Sequence, residues 1–569
     1  MRGMHFGSRL RAFESNEKGS MTILAVTLLM AAALLGGLAV DVMRFENRRT
    51  QMQNALDLCV LNAASLRQTL DEKTVFRDCV VKAGMTGTIT NLTVTKGTSS
   101  KTVSASATET LPTMFIGLLG MNTLTVQATS SAAERVGNVE IALVLDLSGS
   151  MAGSRITNLK IAAKEFVRTL LEEDVNNRIL ITVVPYNGSV NLGNQLAAKY
   201  NLTNVPHNTT NSPDLRNIRC VDLPDAAFAG TAISRTTAMP AASFVDPVTF
   251  YGEVNAFLSP TSRGAAPVMD YNYCKTTPSA YAGNVVQLPG FTPPGEQDKV
   301  ATPGKRIEYL STFIDSLTPA GATSIHKGMR WGLAFLDPSM NSIYREFIAS
   351  GQMPSALSNR PLAFGDPDVM KVIVLMSDGE NTTDEFINPG YRSGSASPSA
   401  PASQRSPMST IWLGTDGNYS MFHSGRPQDA DHYVPHLGTW RATPWVNATD
   451  TGTATNLTWG QVWDRFPLGY VAWQFYSRAG ISTVANTRPI FRSTIPPATM
   501  NSQLQTVCNT ARNSNVLVYS ISFEATVSGQ TELRNCATTL SRYYVATPTT
   551  ISQVFSSIAG NITKLRLTQ

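Results

Sequence analysis

The most prominent pattern along the chain is an uncharged run, Met21 to Val40, reading MTILAVTLLMAAALLGGLAV. At about 1.5 Å per helical residue this run matches a hydrocarbon layer of ~30 Å, which predicts one membrane span. A cleaved signal peptide is the alternative, but its apolar region is usually shorter, and here helical spacing continues past Asp41. Met52, Ala55, Leu56, Cys59 and Ala63 keep small or apolar residues on one face, so a single helix is predicted from Met21 to near Leu70. A short second helix is expected around Glu72 to Lys82. Alternating polar and apolar positions in TGTITNLTVTKG and KTVSASATETL, then the apolar FIGLLG and the segment LTVQATSSAAE, predict a small sheet beside the long helix.

From Val139 the period changes. The apolar runs VEIALVLDLS, RILITVVPY and VMKVIVLMSDG alternate with amphipathic RITNLKIAAKEFVRTLLEE, KRIEYLSTFIDSL and SIHKGMRWGLAFL, a pattern that predicts a parallel sheet covered on both faces. The series resumes in the helix LQTVCNTARN, the strand NVLVYSISF, a segment holding Cys536, the strand RYYVATP and a last helix to Leu565. Two long excursions interrupt it. Residues 190–304 are rich in Pro, Gly, Asn and Thr; residues 380–499 hold the low-complexity SGSASPSAPASQRSP and six of the seven tryptophans. Excursions of that length from a compact domain are usually functional or mobile. The helix-compatible spacing of WGQVWDRFPLGYVAWQFY makes the tryptophans the expected core of a subdomain, with an exposed binding patch as the alternative.

Composition narrows the classes. Of 569 residues only 15% are charged, against a typical ~25%, and 42% are hydrophobic, so highly charged disorder is excluded. A net charge of +5 with no dense Lys/Arg run makes no case for nucleic acid. Six cysteines, Cys59, Cys79, Cys220, Cys274, Cys508 and Cys536, all come after the apolar run as three neighbouring pairs, which suggests disulfides and an oxidising compartment. Fifteen connectivities are possible for six cysteines, so nearest-neighbour pairing is one choice and buried free thiols are the alternative. No CxxC spacing supports zinc.

Candidate chemistry sits in Asp146-Leu147-Ser148-Gly149-Ser150, directly after the first apolar strand of the α/β series. One carboxylate and two hydroxyls at a strand's C-terminal end occupy the edge where open α/β sheets bind ligands, and such oxygens suit a hard divalent cation. Taken alone, the segment is equally well an Asp/Ser cap with turn chemistry. Two further segments change the balance: the loop TPAGATS presents Thr323, and Asp378 ends the apolar strand before MSDGE. Together Asp146, Ser148, Ser150, Thr323 and Asp378 resemble the metal-ion-dependent adhesion site of von Willebrand factor A domains. That resemblance implies an α/β fold of the doubly wound, mostly parallel type over about residues 137–565, interrupted by insertions at 190–304 and 380–499. It also implies a bound cation, Mg²⁺ first, with Mn²⁺ or Ca²⁺ possible.

A second resemblance lies near the N-terminus. GSMTILAVTLLMAAALLGGLAVDVMRFENRRTQMQNALDLCVLNAA is similar to the start of TadG-like proteins of the tight-adherence (Flp) pilus assembly system, and the part with Cys508, Cys536 and KLRLTQ also resembles that family. The implied organisation is a cytoplasmic tail (1–20), a transmembrane helix (21–40), a pilin-like helix and sheet (41–136) and the α/β domain. Leu24 stands where pilin-like members carry a Glu five residues after a processing glycine, which speaks against prepilin-peptidase cleavage at Gly19. The expectation is a single-pass inner-membrane protein, N-terminus in the cytoplasm and bulk in the periplasm. Its metal would capture an acidic residue of a pilus or assembly protein. In the alternative, a minor-pilin-like component, the metal only stabilises the fold. The basic residues flanking the span, Arg2, Arg9, Arg11 and Lys18 before it and Arg44, Arg48 and Arg49 after it, favour this topology only weakly.

An enzyme is not expected: there is no GxSxG elbow, and no GxxxxGK phosphate loop. His432 and His436 share the spacing of some zinc ligands, but Pro435 breaks the helix that would align them, and a surface loop is expected there. His326 is expected in the first turn of the helix after the Thr323 loop, with approach to the ion as the alternative.

Overall fold

The computed structural model describes residues 17–65, 70–96, 100–135, 137–172, 174, 176–203, 219–242, 284–392, 394, 399–402, 405–463, 465–466 and 468–568. Its contacts divide it into two compact units, with the division after Gly137. Residues 1–16 of the expected cytoplasmic tail, and Cys274, lie outside the described residues.

In the first unit, α1 (Glu17–Ala64) is a continuous helix of 48 residues, about 72 Å at 1.5 Å per residue. It ends at Ala64, six residues short of the predicted Leu70. Its segment from Met21 is long and apolar enough to cross a membrane, and Leu28, Leu29 and Leu35 are exposed there. Further along, Met52, Leu56, Cys59, Val60 and Ala63 form one buried stripe. That stripe packs on Val103, Ala105, Ala107, Val126 and Ala128 of an antiparallel sheet, order β1 (Thr88–Lys96), β2 (Ser100–Pro112), β3 (Thr123–Arg135). The alternation in KTVSASATETL puts Val103, Ala105 and Ala107 on the covered face, as a period of two requires. Helix α2 (Glu72–Lys82) is capped by Asp71, whose carboxylate accepts the Thr74 N–H at 2.9 Å. A disulfide between Cys59 and Cys79 staples it to α1.

The second unit is built on a five-stranded sheet. Its order is β8 (Tyr543–Ala546), β7 (Val516–Phe523), β6 (Val369–Ser377), β4 (Asn138–Asp146), β5 (Ile179–Tyr186), with every neighbouring pair parallel. All nine residues of the central strand β4 are buried. Ile141, Leu143 and Leu145 face α3 (Ser154–Leu171), α4 (Pro303–Ser316) and α8 (Ile551–Thr568). Ala142 and Val144 face α5 (Ile325–Phe335), α6 (Pro497–Asn513) and α7 (Val527–Cys536). Both faces of the sheet are therefore covered, which explains why the strands read as unbroken apolar runs rather than alternating ones. Helix α3 buries Ile156, Leu159, Ala163, Phe166 and Leu170 along one stripe, while α4 starts from Thr302 as N-cap with Pro303 behind it.

The chain between β5 and α4 adds Val221, Phe228, Met239 and Leu288 to the core on the α5 side. The chain between β6 and α6 forms an antiparallel sheet of five short strands between Met408 and Thr458, closed by a cluster around Trp459, Trp463, Phe466 and Phe491. Of the tryptophans expected to form a core, Trp459 and Trp463 lie in that cluster with Trp473 packed against it, while Trp412, Trp440 and Trp445 are not part of it. The elements not predicted include a helix over Met340–Ala349, the short strands of that antiparallel sheet, and α7, read only as a segment with Cys536.

Cys508 of α6 and Cys536 of α7 are bonded, Cα atoms 5.1 Å apart, and Cys220 is also in a disulfide; among the described residues no cysteine is free. In the chain-entropy account, closing a loop of this separation, 28 residues, stabilises by ~3.6 kcal/mol. Replacing both Cys508 and Cys536 with Ala should lower the unfolding free energy by about that amount in urea titration. Peptide mapping of protein taken from its native compartment under non-reducing conditions should recover the bonded pair; two free thiols would refute the pairing.

Candidate metal centre

The strand ends of the parallel sheet gather the predicted oxygens. Asp146 is the last residue of β4, and Ser148 and Ser150 come next in a tight turn before α3. Asp378 directly follows β6, the neighbour of β4, so the two carboxylates leave adjacent strands at the same end of the sheet. The serine turn is held from the side by the loop between α4 and α5. The Gly149 N–H donates to Gly321 O at 2.9 Å, and the Ala320 N–H donates to Leu147 O at 2.8 Å. On the other side Gly529 lies against the backbone of Gly379, where a Cβ would collide with the carbonyl.

Four of the five predicted residues form one hydrogen-bonded cluster. The Ser150 hydroxyl donates to Asp378 Oδ1 at 2.8 Å, Ser148 Oγ stands 3.4 Å from the same oxygen, and the two serine oxygens are 3.0 Å apart. Asp146 sits behind them, fully buried. Its Oδ1 accepts the Ser148 N–H at 2.8 Å, and its Oδ2 accepts the Ser377 hydroxyl at 2.5 Å, with the Tyr186 hydroxyl 3.4 Å away. Thr323 stands beside the cluster: its hydroxyl lies against Gly379, and its backbone is fixed by Thr382, whose N–H donates to Thr323 O at 3.0 Å.

Burial and then the charge of Asp378 push the Asp146 carboxyl up to about 6. Burial also raises Asp378, against the pull of Ser150 and Arg155. Arg155 was not singled out from the sequence. From the first turn of α3 its Nη1 donates to Asp378 Oδ2 at 3.0 Å and to Ser150 O at 3.1 Å, while its Nε donates to Glu524 at 2.8 Å. Its position immediately after the serine turn was the available signal. Arg155 compensates Asp378 on the Oδ2 side, leaving Oδ1 toward both serines and leaving Asp146 without a cationic partner in this cluster.

That donor set fits a hard divalent cation. Hydroxyl and carboxylate oxygens converge, a buried carboxylate carries uncompensated charge, and among the described residues no nitrogen or sulfur ligand intrudes. Among the described residues no group of three or more His, Cys, Asp or Glu side chains could hold an ion, so any metal here depends on the hydroxyls.

His326 is in the first turn of α5, as expected. It is buried and stacked on Phe228 at 5.3 Å between ring centroids, and burial holds its imidazole well below the ordinary range. The surface-loop expectation for the other two histidines needs correction at His432, which lies buried in a strand of the antiparallel sheet with Nδ1 2.6 Å from Asp431. Its neighbours on that sheet supply the cover that the loop composition did not reveal.

Comparison with known proteins gives one family match and several slight structural likenesses. Residues 19–66 match the family model described as "Putative Flp pilus-assembly TadE/G-like", so the resemblance read near the N-terminus is shown for that segment. No curated protein matches the sequence. Among solved structures, the chain is similar to the vWF domain of the type V pili tip protein Mfa5 from Porphyromonas gingivalis. Identity is 13% and the TM-score 0.27, over 75% of this chain and 95% of that one. It is also similar to the adhesive tip pilin GBS104 from Group B Streptococcus agalactiae, at 11% identity and a TM-score of 0.30, over 75% of this chain and 100% of that one. A third likeness is to the pilus adhesin SpaC from Lactobacillus rhamnosus GG, at 9% identity and a TM-score of 0.27, over 83% of this chain but only 33% of that one. Likenesses of this size carry no argument, and the functional reading rests on the TadE/G-like segment and on the site itself.

Proposed function

We propose that this protein is a membrane-anchored, extracytoplasmic binding component of tight-adherence pilus assembly or surface attachment. Its second unit is read as a von Willebrand factor A-type domain of the doubly wound kind, in which Asp146, Ser148, Ser150, Thr323 and Asp378 hold Mg²⁺ or a similar divalent cation. The observation that carries this reading is the convergence of Ser148, Ser150 and Asp378 Oδ1 in front of a buried Asp146 that lacks a cationic partner in the cluster. Because Arg155 is already paired with Asp378, the two carboxylates would leave the site net positive once a divalent ion is bound, and the hydroxyls add no charge, so a carboxylate from a partner protein would complete the coordination favourably. The role is binding rather than catalysis. The apolar start of α1 supplies the anchor, and the disulfides suit a periplasmic location for the chain beyond it.

A second reading is favoured by the first unit, a long helix laid along a three-stranded sheet, which suits docking or polymerisation like a minor pilin. The metal would then serve the fold alone. Co-purification of full-length protein from membranes, with and without chelator, separates the two. Partners lost on chelation and lost again in a normally abundant Asp146→Ala variant support capture by the metal. An unchanged set of partners in that variant, with normal pilus function, removes it.

A further inference from the structure

The loop joining β2 and β3 carries a feature that the anchor and the metal site leave unused. From Pro112 to Asn122 it reads PTMFIGLLGMN, without a charge. Thr113 closes its neck, the N–H donating to Asn122 O at 3.1 Å and the hydroxyl to Met121 O at 2.7 Å. Inside, Ile116 to Leu119 make a single 3-10 turn that buries only Ile116. Apart from Phe115, the other large apolar side chains point outward: Met114 is 64% exposed, Leu118 74%, Leu119 62% and Met121 57%. A closed loop that presents four such side chains to water is costly unless something apolar covers them.

Its position on α1 says what that cover is. The Phe115 ring lies against Gly37, where a Cβ would collide with it. The buried Asp41 carboxylate locks the loop in place by accepting the N–H groups of Met114 at 3.0 Å, Phe115 at 2.7 Å and Ile116 at 2.9 Å. Gly37 lies within the uncharged run, three residues before its end at Val40, about 4.5 Å along the helix. A bilayer that accommodates Met21 to Val40 therefore reaches the level of the loop.

We propose that the β2–β3 loop is a second membrane contact, seated in the lipid of the leaflet at the Val40 side through Met114, Leu118, Leu119 and Met121. One insertion point lets a helix tilt and spin; two points joined by the Asp41 bonds fix the rotation of the first unit about α1 and its height above the membrane. The inference rests on the reading of α1 as a span, and the test keeps the two apart.

Full-length protein carrying one engineered thiol is labelled with NBD, since no described cysteine is free to react. It is then reconstituted in phosphatidylethanolamine–phosphatidylglycerol vesicles. Iodide quenches labels in water, and phosphatidylcholine bearing a doxyl group near the headgroup quenches labels in the outer acyl region. Leu118→Cys reports the loop, with Met121→Cys as a second position in case the first disturbs folding. Leu29→Cys reports the span, and Val81→Cys, 76% exposed on α2, reports water. The expected result is loss of iodide quenching and strong doxyl quenching at the loop, with the reverse at Val81→Cys. A loop label quenched by iodide while Leu29→Cys is shielded overturns the proposal and leaves the anchor standing. Labels quenched by iodide at both positions overturn the anchor and the proposal together. A loop label shielded from iodide yet untouched by doxyl lipid means that protein covers the loop, which also overturns the proposal.

Discussion

Chelated protein should melt at a lower temperature than protein given Mg²⁺ or Mn²⁺, and Asp146→Ala should lose the difference. The second unit brings together oxygens from segments far apart in sequence, Asp146 to Ser150 and Asp378, with Thr323 alongside, so a cation bound there binds the folded state only. Its stabilisation scales as RT ln(1 + [L]/Kd), ~2.7 kcal/mol at a hundredfold excess over Kd. The sign with pH is fixed by Asp146. A folded carboxyl raised from 3.8 to about 6 holds its proton more tightly than the unfolded one, so the metal-free unit loses stability as pH rises from about 3.8 through about 6. The cation relieves that loss by pairing the charge. Its stabilising effect should therefore be full at pH 7.5 and shrink as pH falls below about 6, where protons compete for the same carboxylate. Calorimetric scans of both proteins with chelator and with cation, at pH 7.5 and pH 5, check all of this. Equal cation responses in wild type and Asp146→Ala would place the effect on weak surface sites instead.

The largest loss of stability from a single substitution is expected at Glu140. On β4 it stands directly across from Lys371 of β6, and both are buried. One carboxylate oxygen accepts Arg360 Nε at 2.6 Å and the Leu362 N–H at 2.9 Å; the other accepts Lys371 Nζ at 2.5 Å. Burial draws the Lys371 ammonium below its ordinary range, against the pull of Glu140. Removing the carboxylate leaves two buried cations without it, a change that typically costs about 3–5 kcal/mol. Glu140→Ala should therefore lower the urea midpoint of the second unit strongly with little change in the slope. A loss below about 1 kcal/mol would mean that water reaches Lys371 and Arg360.

The sequence was most legible where period and burial agree. The runs that became β4, β5, β6 and β7 are apolar because both faces of the sheet are covered, and Asp146 and Asp378 were conspicuous as the first carboxylates after such runs. Long amphipathic stripes such as that of α3 were equally plain. Three things were hidden. Arg155 reads as an ordinary helix-surface cation until folding sets it beside Asp378 and Glu524, more than two hundred residues away in sequence. Glu140 looks like a strand residue out of place until Lys371 and Arg360 arrive from another strand and loop. The short strands between Met408 and Thr458 escaped because Gly, Pro, Ser and Thr dominate the surrounding chain, and three- to six-residue strands leave little periodicity to detect. The first two are matters of long-range contact, which a local pattern does not encode.

The proposed function depends on a divalent cation at the strand ends between the serine turn and Asp378. Anomalous diffraction at the manganese edge, from crystals of the protein grown with Mn²⁺, tests it most directly. One dominant peak is expected, bounded by Ser148, Ser150, Asp146, Thr323 and Asp378, with oxygen ligands at roughly 2.0–2.3 Å. A cluster without a peak, with Ser150 still bonded to Asp378 Oδ1 and the manganese bound elsewhere or nowhere, would contradict it.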